Sequence, residues 1–293
     1  MKQPKYPVYI ISKGRHDCCL TADFFLKDGL DFKIVIEPQE YKLYKEKYDP
    51  SLLITTPFSN LGLGGIPVRN FVWENSIKKG HRRHWIFDDN IRAVKRKYKK
   101  TRIYCNSVPA IRACESFIDR YTNIGIGGMN YTCFAVSNSQ PPFYLNNHVY
   151  SCLCIDNSLP FRWRGRYNED TDLCLQVLSS GLCTVLFNAF LIEKMRTMTM
   201  KGGNMTQLYR GDGRLTMARS LERVWPGVVS TNRRFGRPQH VVKNSWRHFD
   251  TPLIRRTDID WDSIPESNEF GMSLKQKRKP KSGANKIKHL LKD

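Results

Sequence analysis

The stretch "HRRHWIFDDNIRAVKRKYKK", His81 to Lys100, decides how this chain is read. Trp85-Ile86-Phe87 is an apolar run of the kind that forms a buried strand. It stops abruptly on two adjacent carboxylates, Asp88 and Asp89, followed by Asn90. Six of the eight positions from Lys95 to Arg102 are then basic. Carboxylates at the C-terminal end of a strand lie where open α/β sheets bind ligands. Hard oxygen donors of this type suit Mg²⁺ or Mn²⁺ held together with phosphate oxygens. Asp-Asp-Asn is also ordinary turn chemistry, so the motif alone leaves both readings open.

The residues before this stretch supply an alternation. Val8 to Ser12 reads as a strand, Leu20 to Lys27 as a helix, and Phe32 to Ile36 as a strand ending in Glu37-Pro38. Tyr41 to Lys47 can be helical. After the glycine-rich Asn60 to Gly65, Pro67 opens a helix to about Lys79, which Gly80 closes. Strands alternating with helices predict an α/β fold with a mostly parallel sheet. Downstream, Pro109 to Thr122 reads as an amphipathic helix, and Ile124 to Val136 and Val149 to Ile155 as strands. Glu169 to Ser179 reads as a helix capped by Gly181, and Thr184 to Phe187 as a strand. From Arg210 the pattern weakens. Lys275 to Asp293 holds eight Lys/Arg against one Asp and reads as a mobile basic tail.

With 293 residues, 40% hydrophobic and 12% aromatic, the chain has the composition of a folded globule with a large core. Its 48 basic and 27 acidic residues give a net charge of +21, which favours polyanionic partners such as nucleic acid or an anionic membrane surface. Nine cysteines, an odd number without a CxxC pair, argue against a disulfide framework or a zinc site. They read as small buried hydrophobes. Neither a signal peptide nor a membrane span is evident, so the expectation is a soluble cytoplasmic protein with no membrane partner.

Three further stretches carry chemistry. "NLGLGG", Asn60 to Gly65, puts flexible backbone and Arg69 beside a helix start, an arrangement that suits a diphosphate. "GRYNEDTDL", Gly165 to Leu173, loads a first helical turn with Glu169, Asp170 and Asp172. Those acids complement the helix dipole, and a partly desolvated one could accept a proton from an attacking hydroxyl. "TMTMKGGN", Thr197 to Asn204, places Lys201 before Gly202-Gly203, either a surface turn or a cationic loop that closes over phosphates. Lys95, Arg96, Lys97, Lys99 and Lys100 around Tyr98 form either a solvated face or a DNA contact, the lysines and arginine neutralising phosphate and the tyrosine stacking.

Taken in order, "VYIISKGR", "IVIEPQE", "GGIPVRN", "WIFDDNI" and "RYNEDTDLCLQVLSSGLCTVLFNAF" resemble a GT-A fold glycosyltransferase. Continued through "TMTMKGGN", the series is similar to the TET-associated glycosyltransferases. That family is found in phage DNA-modification systems and is associated with sugar transfer to 5-hydroxymethylated pyrimidines. The resemblance spans roughly residues 6 to 250. It implies a GT-A domain over 1–268, with a donor half of about 1–105 and an acceptor half of about 106–268, and a basic tail over 269–293.

Carried over by position, the resemblance makes Asp88 and Asp89 the DxD-type site for metal and nucleotide sugar, with His240 completing the metal site. Asn90 stands where many relatives have a third acid, and His240 is equally a packed loop histidine. Glu37 matches the acid that reads the nucleobase. Ser12, Gly14, Arg15, Gly65, Arg69, Asn70, Lys201 and Gly202 fall in the donor-binding segments. Asp170 matches the catalytic base of inverting relatives, with Glu169 beside it. The implied reaction moves a sugar from a UDP-type donor, with Mn²⁺ or Mg²⁺, to 5-hydroxymethylcytosine in phage DNA in the host cytoplasm, in association with a TET-like dioxygenase. Lys277, Arg278 and Lys279 of the tail would add to DNA binding. Rival readings are a catalytically silent DNA-binding protein, a sugar nucleotidyltransferase, and a glycosyltransferase acting on anionic glycans.

Overall fold

The computed structural model describes residues 2–98, 101–135, 140–195, 199–203, 213–234 and 236–268. One compact unit spans Met1–Arg256, and Thr257–Asp293 form a second. In the second, the Asp260 carboxylate accepts hydrogen bonds from the amides of Asp262 and Ser263.

Ten strands of the first unit form one sheet: β1 (Val8–Ile11), β2 (Lys33–Ile36), β3 (Leu53–Thr55), β4 (Arg83–Asp88), β5 (Ile91–Tyr98), β6 (Thr101–Cys105), β7 (Ile124–Tyr131), β8 (Phe143–Leu145), β9 (Cys152–Asp156) and β10 (Cys183–Lys194). The order is β3-β2-β1-β4-β9-β7-β10-β5-β6, with β8 also paired to β10. The sheet is mixed but mostly of one direction. Only β5, β8 and β9 run against the other seven. The helices are α1 (Leu20–Asp28), α2 (Tyr41–Lys45), α3 (Ile66–Lys78), α4 (Ser107–Ile118), α5 (Glu169–Ser179) and α6 (Gly213–Val224). A separate hairpin pairs β11 (Val229–Arg234) with β12 (Arg237–Val242).

Strand β4 shows why the sheet sits between helices. Successive side chains of a strand point to opposite faces. Ile86 packs with Val72 and Trp73 of α3 and with Leu173 and Val177 of α5. Phe87 instead meets Phe25 of α1, and Trp85 donates its indole N–H to Glu115 of α4 at 2.9 Å. All three β4 residues are fully buried, and each apolar side chain so placed contributes about 1.5–3 kcal/mol. The buried Glu115 carboxylate is satisfied further by the amides of Lys5 and Tyr6, which pins the start of the chain to α4. Helix α4 begins at Asn106, whose side chain accepts from the Val108 amide at 2.9 Å. Helix α3 begins with Pro67 in its first turn, as read from the sequence.

Several expectations need correction. The basic run, which follows the paired acids without a strand pattern of its own in the sequence, falls on the antiparallel strands β5 and β6, with Lys95 opposite Tyr104 and Lys97 opposite Arg102. The strand expected at Thr184 to Phe187 extends to Lys194, and that at Val149 to Ile155 begins at Cys152 and runs antiparallel between β4 and β7. The helix α6 and the β11–β12 hairpin lie where the sequence pattern was weak. All nine cysteines are free thiols, six of them buried. Among the described residues no helix is long and apolar enough to cross a membrane.

Candidate active site

The parallel strands β1, β2 and β4 end side by side and deliver Ser12, Glu37 and Asp88 to one cavity of about 580 Å³. The glycine-rich loop forms one wall, where Gly62 and Gly64 hold φ of 70° and 68°. Glycine takes these left-handed values at no steric cost and leaves the backbone open to a ligand. The first turn of α5 forms another wall, with Glu169, Asp170 and Thr171. Tyr131, Phe134, Tyr150, Ser151 and Lys194 complete it from the β7–β10 side.

Four carboxylates and three cations fall into two groups here, Asp88, Glu169 and Asp170 around Arg69 and Lys194, and Asp89 with Arg15. Asp88 accepts from Arg69 Nη2 at 3.0 Å through Oδ1 and from Lys194 Nζ at 2.6 Å through Oδ2. Burial opposes its ionisation, but the Lys194 and Arg69 charges outweigh burial and hold its pKa well below the usual carboxylate range. Asp89 is clamped by the Arg15 guanidinium and by Ser12 Oγ at 2.7 Å. Its pKa is nevertheless raised, because burial outweighs Arg15. Arg69 also faces Glu169 at 3.7 Å and Asp170 at 3.8 Å, with its guanidinium over the Trp163 ring. Asp170 is different. Its Oδ2 takes the Ser151 amide at 3.1 Å, while buried Oδ1 has no hydrogen-bond partner. Burial lifts its pKa to about 7; Arg69 opposes the shift, and Glu169 and Asp88 add to it. A carboxyl poised near neutrality in a cavity is the usual state of a general base.

At the far end, Glu37 takes Lys13 Nζ at 2.9 Å on both oxygens and the Asn60 amide at 3.0 Å. Burial works against the ionised form, yet these donors hold its pKa below the ordinary value. A family model described as TET-Associated Glycosyltransferase matches residues 6–203, more than half of the chain. The chain belongs to this family of glycosyltransferases. A comparison with individually curated proteins finds no match. The family match contains every cavity element described so far, from Ser12 to Lys194, and ends before α6, β11 and β12.

The divalent cation expected from the resemblance can be tested against these residues. Both oxygens of Asp88 and both of Asp89 are already engaged, by Arg69 and Lys194 and by Arg15 and Ser12 respectively. His240, on β12, reaches Thr171 Oγ1 at 3.4 Å, and burial lowers its pKa. Among the described residues no group of three His, Cys, Asp or Glu side chains is placed to hold a metal ion. An ion at Asp88 would have to displace buried Arg69 and partly buried Lys194, and breaking a buried pair costs about 3–5 kcal/mol. The residues present do not fit a resident metal, and the set Asp88, Asp89 and His240 is not assembled as one.

Other expected site residues separate into those inside the cavity and those outside it. Arg15, Gly65 and Arg69 line it beside Ser12 and Glu37. Asn70 does not; its amide group binds the Trp163 backbone at 2.9 and 3.0 Å and fastens the loop before α5 to α3. Asp172, the alternative base, is held by Arg164 at 3.0 Å and Trp225 at 2.7 Å and stays outside the cavity. Gly14, Lys201 and Gly202 form a strap. Arg15 Nε donates to the Lys201 carbonyl at 3.0 Å, and the Gly203 amide donates to the Lys13 carbonyl at 2.9 Å. A Cβ on Gly202 would collide with the Gly14 carbonyl oxygen. Lys95 pairs with Glu193 at 3.1 Å and lies over Tyr104, and Arg96 lies over Tyr98. None of Lys95, Arg96, Lys97 and Tyr98 lines the cavity. Lys99, Lys100, Lys277, Arg278 and Lys279 lie outside the described residues.

The sequence reading passed over Lys194, Ser151, Tyr131 and Tyr150. Lys194 had a usable signal: it ends a long apolar strand on a charge, the same pattern that drew attention to Asp88.

Proposed function

We propose that the chain moves a sugar from a nucleotide-sugar donor, UDP-linked, to the hydroxyl of 5-hydroxymethylcytosine in DNA, with inversion at the sugar carbon. The observation that carries the reading is Asp170, a buried carboxyl with a pKa pushed up to about 7, beside the cavity's glycine-rich loop and its cations. In this reading Glu37, whose pKa is lowered, would accept an N–H of the donor base in exchange for one of its present donors, Lys13 or the Asn60 amide, and the Gly62–Gly65 backbone of the cavity wall would cradle the diphosphate. As the acceptor oxygen bonds to the sugar carbon, its proton passes to Asp170. The bond from that carbon to the diphosphate breaks, and the electron pair leaves with the diphosphate. The electronic demand on the sugar carbon is that of other glycosyl transfers, with oxocarbenium character.

DNA as acceptor is supported by the net charge of +21 and by an aromatic wall. Phe134, 57% exposed, stacks on Tyr131 at 5.6 Å and meets Tyr150 edge-on, presenting a flat face suited to a pyrimidine. In this reading a TET-like dioxygenase supplies the hydroxymethyl group, phage DNA is the acceptor and the host cytoplasm the setting; the family's description, TET-Associated Glycosyltransferase, supports the first of these. Transfer to a hydroxymethylated duplex, measured in single turnover against pH, tests the role of Asp170. The rate should rise through about pH 7 and level off as the carboxyl ionises. A rate independent of pH from 5 to 9, about two units either side, would remove Asp170 as the base.

A further inference from the structure

Lys194 occupies one oxygen of Asp88, the carboxylate that the resemblance assigns to a divalent ion. Its ammonium lies 2.6 Å from Asp88 Oδ2, 2.6 Å from Ser151 Oγ and 3.4 Å from the Tyr131 hydroxyl. The side chain is only 16% exposed, yet it lines the cavity that also contains the glycine-rich loop and Arg15. Its position is built into the sheet. Lys194 is the last residue of β10, and the β10–β5 register shifts between Glu193 and Lys194, a local irregularity of the kind that re-aims a side chain. On Asp88's other oxygen sits Arg69, 5% exposed. Asp89 carries Arg15 in the same way, and Arg15 too lines the cavity. The paired acids thus anchor cations that line the cavity, Arg69 and Lys194 on Asp88 and Arg15 on Asp89.

Building on the nucleotide-sugar reading, we infer that Lys194, supported by Arg15 and Arg69, supplies the positive charge that the leaving diphosphate needs, and that donor binding and transfer require no divalent cation. The bond broken is that from the sugar carbon to the β-phosphate oxygen. The charge that gathers on this oxygen is met by the Lys194 ammonium, which exchanges its long Tyr131 contact for the phosphate while keeping Asp88 and Ser151. A fixed ammonium held by two short hydrogen bonds needs little reorganisation when the charge develops, the condition under which electrostatic stabilisation is most effective. The acids keep the cations charged and aimed in a buried site.

The test uses the full-length protein and nucleoside diphosphates as probes: UDP, GDP, CDP, ADP and dTDP, titrated calorimetrically in EDTA and again with Mn²⁺. The inference expects the preferred diphosphate to bind equally well in both. It also expects Lys194→Met to lose on the order of ten- to a hundredfold in affinity, as for one charge-assisted hydrogen bond, with Lys194→Arg recovering most of it. The Mn²⁺ electron paramagnetic resonance signal should match that of Mn²⁺ and the diphosphate without protein. Binding seen only with Mn²⁺, or immobilised Mn²⁺ in stoichiometric amount, overturns the inference while leaving the nucleotide-sugar reading intact. No binding of any probe under either condition removes the nucleotide-sugar reading and the inference with it. Unchanged affinity in Lys194→Met overturns the assignment of the charge to Lys194; if that variant does not fold, Lys194→Gln replaces it, and the wild-type comparison decides the metal.

Discussion

Replacing Asp170 by Asn separates the chemical role of this carboxyl from its structural one, because the two effects have opposite signs. Asn keeps the shape and can still accept the Ser151 amide, but it takes up no proton. The transfer rate should fall by about 10²- to 10⁴-fold, the usual range for losing a general base. Stability behaves differently. The folded pKa of Asp170 is raised from 3.8 to about 7, so the folded state holds this proton more tightly than the unfolded chain. The stability that proton uptake contributes is fully present below the unfolded value and lost as pH rises to the folded value. Above pH 7 the ionised, buried group is therefore a burden, with a ceiling of about 4 kcal/mol at roughly 1.4 kcal/mol per unit. Asn also gives up the 3.8 Å attraction to Arg69, so its gain stays below that ceiling. Calorimetric unfolding should show Asp170→Asn melting at or above wild type at pH 8, with the advantage shrinking toward pH 4. Single-turnover rates at saturating donor and hydroxymethylated DNA complete the assay. Near-normal transfer by Asp170→Asn, with loss of transfer in Glu169→Gln, would refute the assignment.

Three other outcomes are expected. Asp88→Ala leaves Arg69 and Lys194 short of a partner and should lose about 3–5 kcal/mol in thermal unfolding along with nucleotide affinity; because its pKa is depressed, the stability Asp88 supplies is present at neutral pH and lost only as pH falls below the ordinary carboxylate range. Gly202→Ala adds a methyl group against the Gly14 carbonyl at a residue with φ 75°, a left-handed backbone that costs other residues about 1–2 kcal/mol; the strap should detach, and donor hydrolysis should rise relative to transfer. Deleting Lys275 to Asp293 removes a net +7, eight basic residues less one acidic; it should weaken DNA binding and reduce the salt slope by roughly 0.9 for each phosphate the tail neutralises, while sparing donor hydrolysis.

How much of this was legible in the sequence depended on how local each signal was. Asp88 and Asp89 could be found because a buried strand ends on them, and Asp170 because three acids crowd one helical turn. Both are properties of a few adjacent residues. Lys194 lies 106 residues from Asp88, and only the sheet order, which sets β10 two strands beyond β9, brings them together. The antiparallel sense of β9 was invisible because a strand buried on both faces has the same composition in either direction. The basic hairpin misled for a tertiary reason. Lysine is mildly depleted in strands, but β5 is held by β10 on one side and β6 on the other, and Glu193 and Tyr104 take up the Lys95 charge. His240 matched the position of a late ligand, and β12 does bring it to the wall of the cavity that the paired acids line, where its imidazole meets Thr171.

The measurement that tests the central claim most directly is mass spectrometry of nucleosides from DNA incubated with the protein and a panel of nucleotide sugars. Two duplexes of identical sequence are compared, one with 5-hydroxymethylcytosine and one with cytosine. The account expects the hydroxymethylcytosine peak to be replaced by its glycosyl adduct, with one nucleoside diphosphate released per adduct and no adduct on the unmodified duplex. DNA binding without adduct on either duplex, adduct on both alike, or release of pyrophosphate in place of nucleoside diphosphate would contradict it.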